Sequence, residues 1–477
     1  MSTIPPRPLP LCVDLDGTLI KSDILAETLL KLLKQNILYL LLLPVWLLRG
    51  KAWLKQQIAQ RVQLGVDELP YYQPLLDYLR KQKSTGRHIV LATASHRKYA
   101  EQIAGHLGLF DAVYATTETE NLSGSAKSRR LCEHFGARGF EYVGNSAKDL
   151  VVWRQAGSGI VVNAPASVVT AAQMATTISQ VFERTPPSMH TWVKAIRLHQ
   201  WLKNLLVFIP LLAAHRALEL PLLSMVMIAF AAFGLCASSV YLLNDLLDLQ
   251  ADRRHPRKRY RAFAAGDLSL TSGLVLSACF LLMAFSLAST LPPRFLLVLM
   301  GYYALTLLYS FKLKELPMLD VVVLAALYTT RIIAGGAAVS IEPSFWLLAF
   351  SMFLFLSLAM IKRYAELQSS AIDDQVDISG RGYRLEDRIL IKSQGAASGY
   401  LSVLVLALYI NSESSPALYS RPEVMWLLCP LLLYWISYAW LKTFRNEMHD
   451  DPVVFALRDP VSLGLGLIGI FIVWAAI

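Results

Sequence analysis

Asn244-Asp245-Leu246-Leu247-Asp248-Leu249-Gln250-Ala251-Asp252 closes an uncharged stretch that begins at Leu220, and Arg253, Arg254, Arg257, Lys258, Arg259 and Arg261 follow at once. A stretch of this kind approaches the ~20 apolar residues that a helix needs to cross a bilayer. On a helix, Asp245, Asp248 and Asp252 stand at i, i+3 and i+7, so their carboxylates share one face and can together hold divalent ions. Carboxylates at a membrane boundary are costly and usually serve a function. With the basic run beside them, they read as a metal and phosphate site at a membrane surface.

Working outward, the 477 residues are 55% hydrophobic, too apolar for a soluble protein, yet the first third reads as an ordinary soluble domain. After Val193 apolar stretches recur: Leu205 to Ala214, Leu220 to Leu243, Leu270 to Leu291, Phe295 to Phe311, Met318 to Ile341, Ser344 to Ile361, Ala396 to Ile410, Val424 to Trp440 and Val461 to Ile477. They predict nine transmembrane helices, the first being the weakest because Lys194, Arg197 and Lys203 intrude on it. With the N-terminal domain in the cytosol, the loops after the even-numbered crossings hold Arg253 to Arg261, Lys312 with Lys314, Lys362 to Lys392, and Lys442 to Arg458. The opposite loops carry Arg216, Arg294 and Arg421, which agrees with the positive-inside rule.

The five cysteines are scattered, without CxxC spacing, and read as reduced packing residues. The formal net charge of +10 sits mostly in short loops between apolar stretches, so topology and anionic ligands explain it and nucleic acid is not an expected partner. Asp14 and Asp16 come with no long apolar segment ahead of them, so no signal peptide is expected.

The motif Asn244-Asp245-xx-Asp248-xxx-Asp252, followed by Arg253, His255-Pro256, Lys258 and Arg261, resembles the NDxxDxxxD signature of the UbiA superfamily of membrane prenyltransferases. The resemblance covers about the last 290 residues and fits nine helices. Within the superfamily it is closer to the polyprenyl-phosphate phosphoribosyltransferases, whose pattern is echoed at Arg197 to Asn204, Arg331 to Gly336, and Lys362-Arg363-Tyr364-Ala365-Glu366. Aromatic prenyltransferases of the superfamily carry a second motif, DxxxD, after the fourth span. Here that region runs from Tyr309 through Lys312 and Lys314 to Asp320, rich in lysine and without DxxxD. More positive charge implies more phosphate to bind, as in a phosphoribosyl pyrophosphate meeting a lipid phosphate.

The resemblance therefore implies substitution at the anomeric carbon of 5-phosphoribosyl 1-pyrophosphate by a polyprenyl phosphate, with pyrophosphate released. Mg2+ is the implied cofactor, with Asp245, Asp248 and Asp252 as ligands or holders of bound water and Asn244 orienting the site. Lys203, Asn204, Lys258, Arg261, Tyr309, Lys312, Lys314, Arg331, Lys362 and Arg363 are candidate substrate contacts. The alternative for any single lysine or arginine is that it anchors a helix end by snorkelling. By resemblance alone, Asp320 takes a second metal or a ribose hydroxyl. The implied location is a bacterial inner membrane, with the active sites on the cytosolic side.

In the first third, Leu9 to Val13 is a short apolar strand running into Asp14-Leu15-Asp16-Gly17-Thr18. This resembles the first motif of the haloacid dehalogenase-like hydrolases, in which the first aspartate is the phosphoryl-accepting nucleophile and the second acts as acid and base. Later segments keep the order of an α/β Rossmann-like fold. His88 to Leu91 is a strand ending at Ala92-Thr93-Ala94-Ser95, Lys127 opens a helix, and Tyr142 to Gly144 is a strand leading to Asn145 and Asp149. The resemblance implies that Thr93, or else Ser95, binds phosphoryl oxygens, that Lys127 stabilises their charge, and that Asp14, Asp16, Asn145 and Asp149 hold Mg2+. Asn145 departs from the family, where an aspartate is common, which weakens metal binding or removes activity.

Between these motifs, Ile20 to about Tyr72 is expected as a helical cap. Its run Ile37 to Leu48 is too short and Pro-broken to span, so it reads as a buried cap helix or as an interfacial helix resting on lipid. The expected organisation is a hydrolase domain at 1–165, a linker at 166–190 containing Pro186-Pro187, and a membrane domain at 191–477. Together they suggest a tandem in which the hydrolase removes the 5-phosphate from the lipid product. An aromatic prenyltransferase, or a transporter with a regulatory domain, is the competing reading. Arg381-Gly382-Tyr383-Arg384 either closes over the donor or only satisfies topology, and the late run Arg445 to Asp459 reads as a cytosolic loop.

Overall fold

The computed structural model describes residues 8–372, 381–413, 415–416, 418–448 and 451–477. Parts of the expected first domain (1–7), of the expected loop 362–392 (373–380) and of the run 445–459 (449–450) lie outside the described residues. The chain divides into two compact units, Met1–Ala195 with Leu242–Val275, and Ile196–Tyr241 with Leu276–Ile477. In this division the segment Leu242–Val275, which carries the aspartate motif, packs with the first unit.

The first unit is built on six parallel strands, β1 (Leu11–Val13), β2 (Ile89–His96), β3 (Ala112–Thr116), β4 (Glu141–Gly144), β5 (Ser158–Val162) and β6 (Ile178–Phe182), in the order β3-β2-β1-β4-β5-β6. Both faces are covered. Leu11, Val13, Ile89 and Leu91 pack into one apolar core, while Cys12, Val90 and Ala92 pack into another with Phe140 and Trp153. That explains the near-continuous apolar runs of these strands. Strand order reverses at β1, so the crevice at its carboxyl end is the ligand position that this topology provides. The stretch 166–190, expected as a linker, instead holds the helix Ala166–Ala175 and β6, which pairs with β5.

The cap consists of α1 (Ile24–Gln35), α2 (Tyr39–Leu48) and α3 (Lys51–Arg61). Leu32, Trp46, Ile58 and Val62 form its small core. The buried form of the α2 expectation is not met: the helix is apolar all round, only Trp46 is buried, and Leu41 and Leu48 are 73% and 88% exposed. A ten-residue helix apolar on every side cannot bury all of them against two neighbours.

Seven helices are long and apolar enough to cross a membrane among the described residues: Leu220–Leu247, Leu270–Ala288, Pro293–Phe311, Leu319–Val339, Phe345–Ser369, Leu385–Ile410 and Pro422–Phe444. The chain is a multi-pass membrane protein. The expected first crossing is a 3-10 segment, Leu198–Phe208, continued by a short helix to Ala213, and the last is the 17-residue helix Pro460–Ala476. Lys362 and Arg363, expected at the start of a loop, lie inside the helix Phe345–Ile372.

Candidate active sites

The hydrolase crevice is assembled from strand ends. Asp14 follows β1 directly, and its backbone N–H donates to Val143 O at 3.0 Å, fixing the turn against β4. Gly17 sits at φ +74°, and a Cβ there would meet the Asn145 amide nitrogen at 2.1 Å, so only glycine permits this turn. Lys127, in the first turn of the helix Ser125–Phe135, donates to Asp14 Oδ1 at 2.7 Å and to the Tyr142 hydroxyl at 2.9 Å. Asp16 accepts from Ile24 N at 2.7 Å and from Ser95 Oγ at 2.6 Å, which ties it to the start of the cap.

Burial pushes Asp14 up to about 6, against the opposing pull of Lys127 and with a further push from Asp149. Burial followed by the neighbouring Asp23 carboxylate pushes Asp16 up to about 7. Asp16 is thus poised to exchange a proton near neutrality. Both carboxylates open, with Lys127, Asn145 and Ser95, onto a cavity of about 520 Å³. Thr93 is fully buried and its Oγ1 accepts from Ser95 N at 2.9 Å, so the hydroxyl on the cavity wall is that of Ser95. Asp149, expected as a metal ligand, accepts from Tyr142 OH, Asn145 N, Ser146 N and Ser146 Oγ. It positions the lysine and the loop.

The segment 242–275 completes the same unit. Its helix ends at Leu247, and Asp248 (φ −97°, ψ 12°) precedes a new short helix, Leu249–Arg254. The three aspartates therefore do not share one continuous helical face. Asp245 and Asp252 converge on Arg261 Nη1, at 3.1 and 2.8 Å, whereas Asp248 pairs with Lys34 at the end of α1. Arg253 holds the buried carboxylate of Glu27 in α1 with two bonds of 2.7 and 2.8 Å, Arg254 pairs with Glu68, and Lys21 with Asp267 at 3.6 Å. Leu268 to Thr271 then wall the hydrolase cavity. Asn244 is half-buried, and Lys258 is exposed.

Among the described residues, no three His, Cys, Asp or Glu side chains gather into a ready metal cluster. The donor chemistry still fits Mg2+, which takes oxygen ligands and is commonly held by one or two carboxylates plus substrate phosphate. Asp14 and Asp16, with Asn145 beside them on the cavity wall, would make one such set, and Asp245 with Asp252 the other.

In the second unit the charged residues expected at the substrate form three groups. Arg331 is buried and donates to Asn204 Oδ1 at 3.0 Å, to Tyr302 OH at 2.9 Å and to Leu327 O at 2.5 Å. Its donors are engaged by the protein, so Arg331 and Asn204 brace the fold rather than offering that guanidinium to a phosphate. Asp320 and Arg363 are likewise buried partners, 2.5 Å apart, with the Tyr383 hydroxyl donating to Asp320 and Glu366 pairing with Arg363. Asp320, expected to take a second metal or a ribose hydroxyl, is fully buried in this pairing. Tyr383, from the Arg381 to Arg384 loop, is a buried plug, and Gly382 approaches Glu315 O so closely that a Cβ would lie 2.8 Å away.

The third group contains a residue that the sequence reading passed over. Asp451 Oδ2 accepts from Lys203 at 2.7 Å and Lys362 at 3.2 Å, and Tyr328 OH donates to its Oδ1 at 3.1 Å. Asp451 caps the helix Pro452–Ala456, and that Asp-Pro cap was the available signal in an otherwise undistinguished charged run. Two ammoniums on one carboxylate leave a net positive charge suited to a phosphate. Lys314 and Tyr309 are half-buried, and Lys312 is exposed at the end of the helix Pro293–Phe311.

Comparison with known proteins agrees with both halves. Residues 205–459 match the UbiA prenyltransferase family, and residues 11–152 the haloacid dehalogenase-like hydrolases. The chain is 37% identical over 467 residues to Uncharacterized protein y4nM of Sinorhizobium fredii, covering 96% of this chain and 89% of that one. It is 37% identical over 288 residues to Nodulation protein NoeC of Azorhizobium caulinodans, covering 60% of this chain and 94% of that protein. Over 183 residues it is 43% identical to decaprenyl-phosphate phosphoribosyltransferase of Mycobacterium tuberculosis, covering 37% of this chain and 59% of that enzyme.

Proposed function

The chain belongs to the UbiA prenyltransferase family, with a haloacid dehalogenase-like hydrolase domain in its first third, and from that premise we propose that it is a polyprenyl-phosphate phosphoribosyltransferase. The observation that carries this reading is its 43% identity to a mycobacterial relative named for phosphoribosyl transfer to decaprenyl phosphate. A phosphate oxygen of the lipid forms a bond to the anomeric carbon of 5-phosphoribosyl 1-pyrophosphate, and pyrophosphate departs with the bonding pair. The acceptor is already an anion, so no general base is needed.

Mg2+, when bound, neutralises charge on the leaving pyrophosphate. Asp245 and Asp252 would hold it, and Arg261, paired to both, orients their carboxylates. Lys203 and Lys362, gathered by Asp451, offer a second anion position. Nine crossings, with Leu198–Ala213 first and Pro460–Ala476 last, would place the hydrolase crevice and the aspartate motif on the cytosolic face of a bacterial inner membrane.

The hydrolase then removes the 5-phosphate from the lipid product. Asp14 attacks phosphorus while Asp16 gives its proton to the departing ribose oxygen. Water next cleaves the phosphoaspartate as Asp16 takes a proton back, and phosphate leaves. Lys127 holds Asp14 in place and balances charge on the phosphoryl oxygens.

Membranes carrying the protein, given a labelled phosphoribosyl donor, polyprenyl phosphate and Mg2+, should yield a labelled lipid. Transfer of a prenyl group to an aromatic acid, with no ribosylated lipid formed, would overturn the proposal.

A further inference from the structure

We propose that α2 is a bilayer-inserted element that docks the hydrolase cap onto an anionic lipid surface. Nothing in the catalytic reading requires this helix, yet eight large aliphatic side chains between Ile37 and Leu48 are exposed. That density is abnormal for a water-facing helix, since exposed apolar groups normally occur singly or mark an interaction site. Ten residues rise only about 15 Å, half of a hydrocarbon core, so the helix can enter one leaflet but cannot cross.

Charge selects lipid as the occupant. From Thr28 to Val66 there is no acidic residue, while Arg49, Lys51 and Arg61 are basic and exposed. A second copy would oppose like charge to like, whereas an anionic headgroup layer complements it. Arg49 and Lys51 flank the helix where its side chains would leave the hydrocarbon, and the Arg49 guanidinium stacks over Trp53.

Position supports the same occupant. Lys34 pairs with Asp248, one residue beyond the end of the 28-residue helix Leu220–Leu247. Four residues of chain lie between Lys34 and the start of α2, so five Cα steps give a reach of at most about 18 Å. At the other end of the helix, Leu47 and Lys51 line the hydrolase cavity. An inserted α2 therefore brings that cavity to the headgroup layer, where a phosphate ester on a lipid can enter it without leaving the membrane.

The test uses the full chain in vesicles of phosphatidylcholine and phosphatidylglycerol, with a fluorophore on Leu41→Cys or, as a water-facing control, on Glu101→Cys, after subtraction of label on the native cysteines. Brominated lipids should quench the probe at position 41 and not at 101, and iodide should do the reverse. Replacing phosphatidylglycerol with phosphatidylcholine, or adding Leu48→Lys with Val45→Lys, should lower quenching at 41. Equal iodide quenching at both positions would overturn the proposal. So would excimer emission from pyrene at position 41 without lipid quenching, which would assign the surface to a second copy.

Discussion

The hydrolase crevice and the buried charge groups of the membrane unit use the same residue types to opposite ends. Around β1, Asp14, Asp16 and Lys127 have protein partners but still face a cavity large enough for a phosphate ester. In the membrane unit, Arg331 with Asn204 and Arg363 with Asp320 are closed against one another and buried. A charge in a lipid-embedded helix must be neutralised whether or not it touches substrate, so its presence alone does not mark a site. What separates the two cases is whether donors and acceptors remain directed at open space.

Asp14→Asn should sharpen the contrast most. It removes the nucleophile, so dephosphorylation should fall by roughly 10⁴-fold or more while ribosyl transfer continues and the 5-phosphorylated lipid accumulates, as read by labelled-lipid chromatography. Arg363→Met leaves Asp320 buried without its main partner. Thermal unfolding in detergent should then reveal a loss of about 3–5 kcal/mol, much of it recovered in Arg363→Met with Asp320→Leu. If Arg363→Met changed only the Michaelis constant for the donor, the structural assignment would be broken.

Asp245→Asn and Asp252→Asn should each lower transfer by roughly 10²-fold, with partial relief at high Mg2+. Protonation provides the next test. Asp14 and Asp16 are raised from 3.8 to about 6 and about 7 in the folded unit, so the folded state binds protons more tightly than the unfolded one. Their contribution to stability is present below 3.8 and is lost as pH rises through 6 to 7. Because Mg2+ requires the ionised carboxylates, its stabilising shift of the melting temperature should be larger at pH 8 than at pH 5.5. The smallest effect is expected from Lys34→Met, whose partly exposed pair with Asp248 is worth about 0.2–1 kcal/mol, with transfer changing less than about threefold.

Much of this architecture was legible in the residues. Short, continuously apolar strands, the first running into Asp14-Leu15-Asp16-Gly17, fix both the sheet and the position of its crevice, because local pattern and turn chemistry act over a few residues. The partners of charged side chains were not legible. Asp320 meets Arg363 across 43 residues, and Asp451 reaches Lys203 across 248, distances over which sequence pattern carries no signal. The break at Asp248 was hidden for a related reason. Asn244 to Asp252 has helical spacing throughout, but contacts with α1 favour two short segments over one continuous face.

The buried bond pair between Glu27 and Arg253 has a consequence in time. The first unit needs residues up to Val275, so when Ala195 has left the ribosome a further 80 residues must still be made. At bacterial to eukaryotic synthesis rates this is roughly 4–16 s. During that interval Glu27 lacks its arginine and the wall from Leu268 to Thr271 does not yet exist, so the hydrolase cavity is closed only after the helix Leu220–Leu247 has been made.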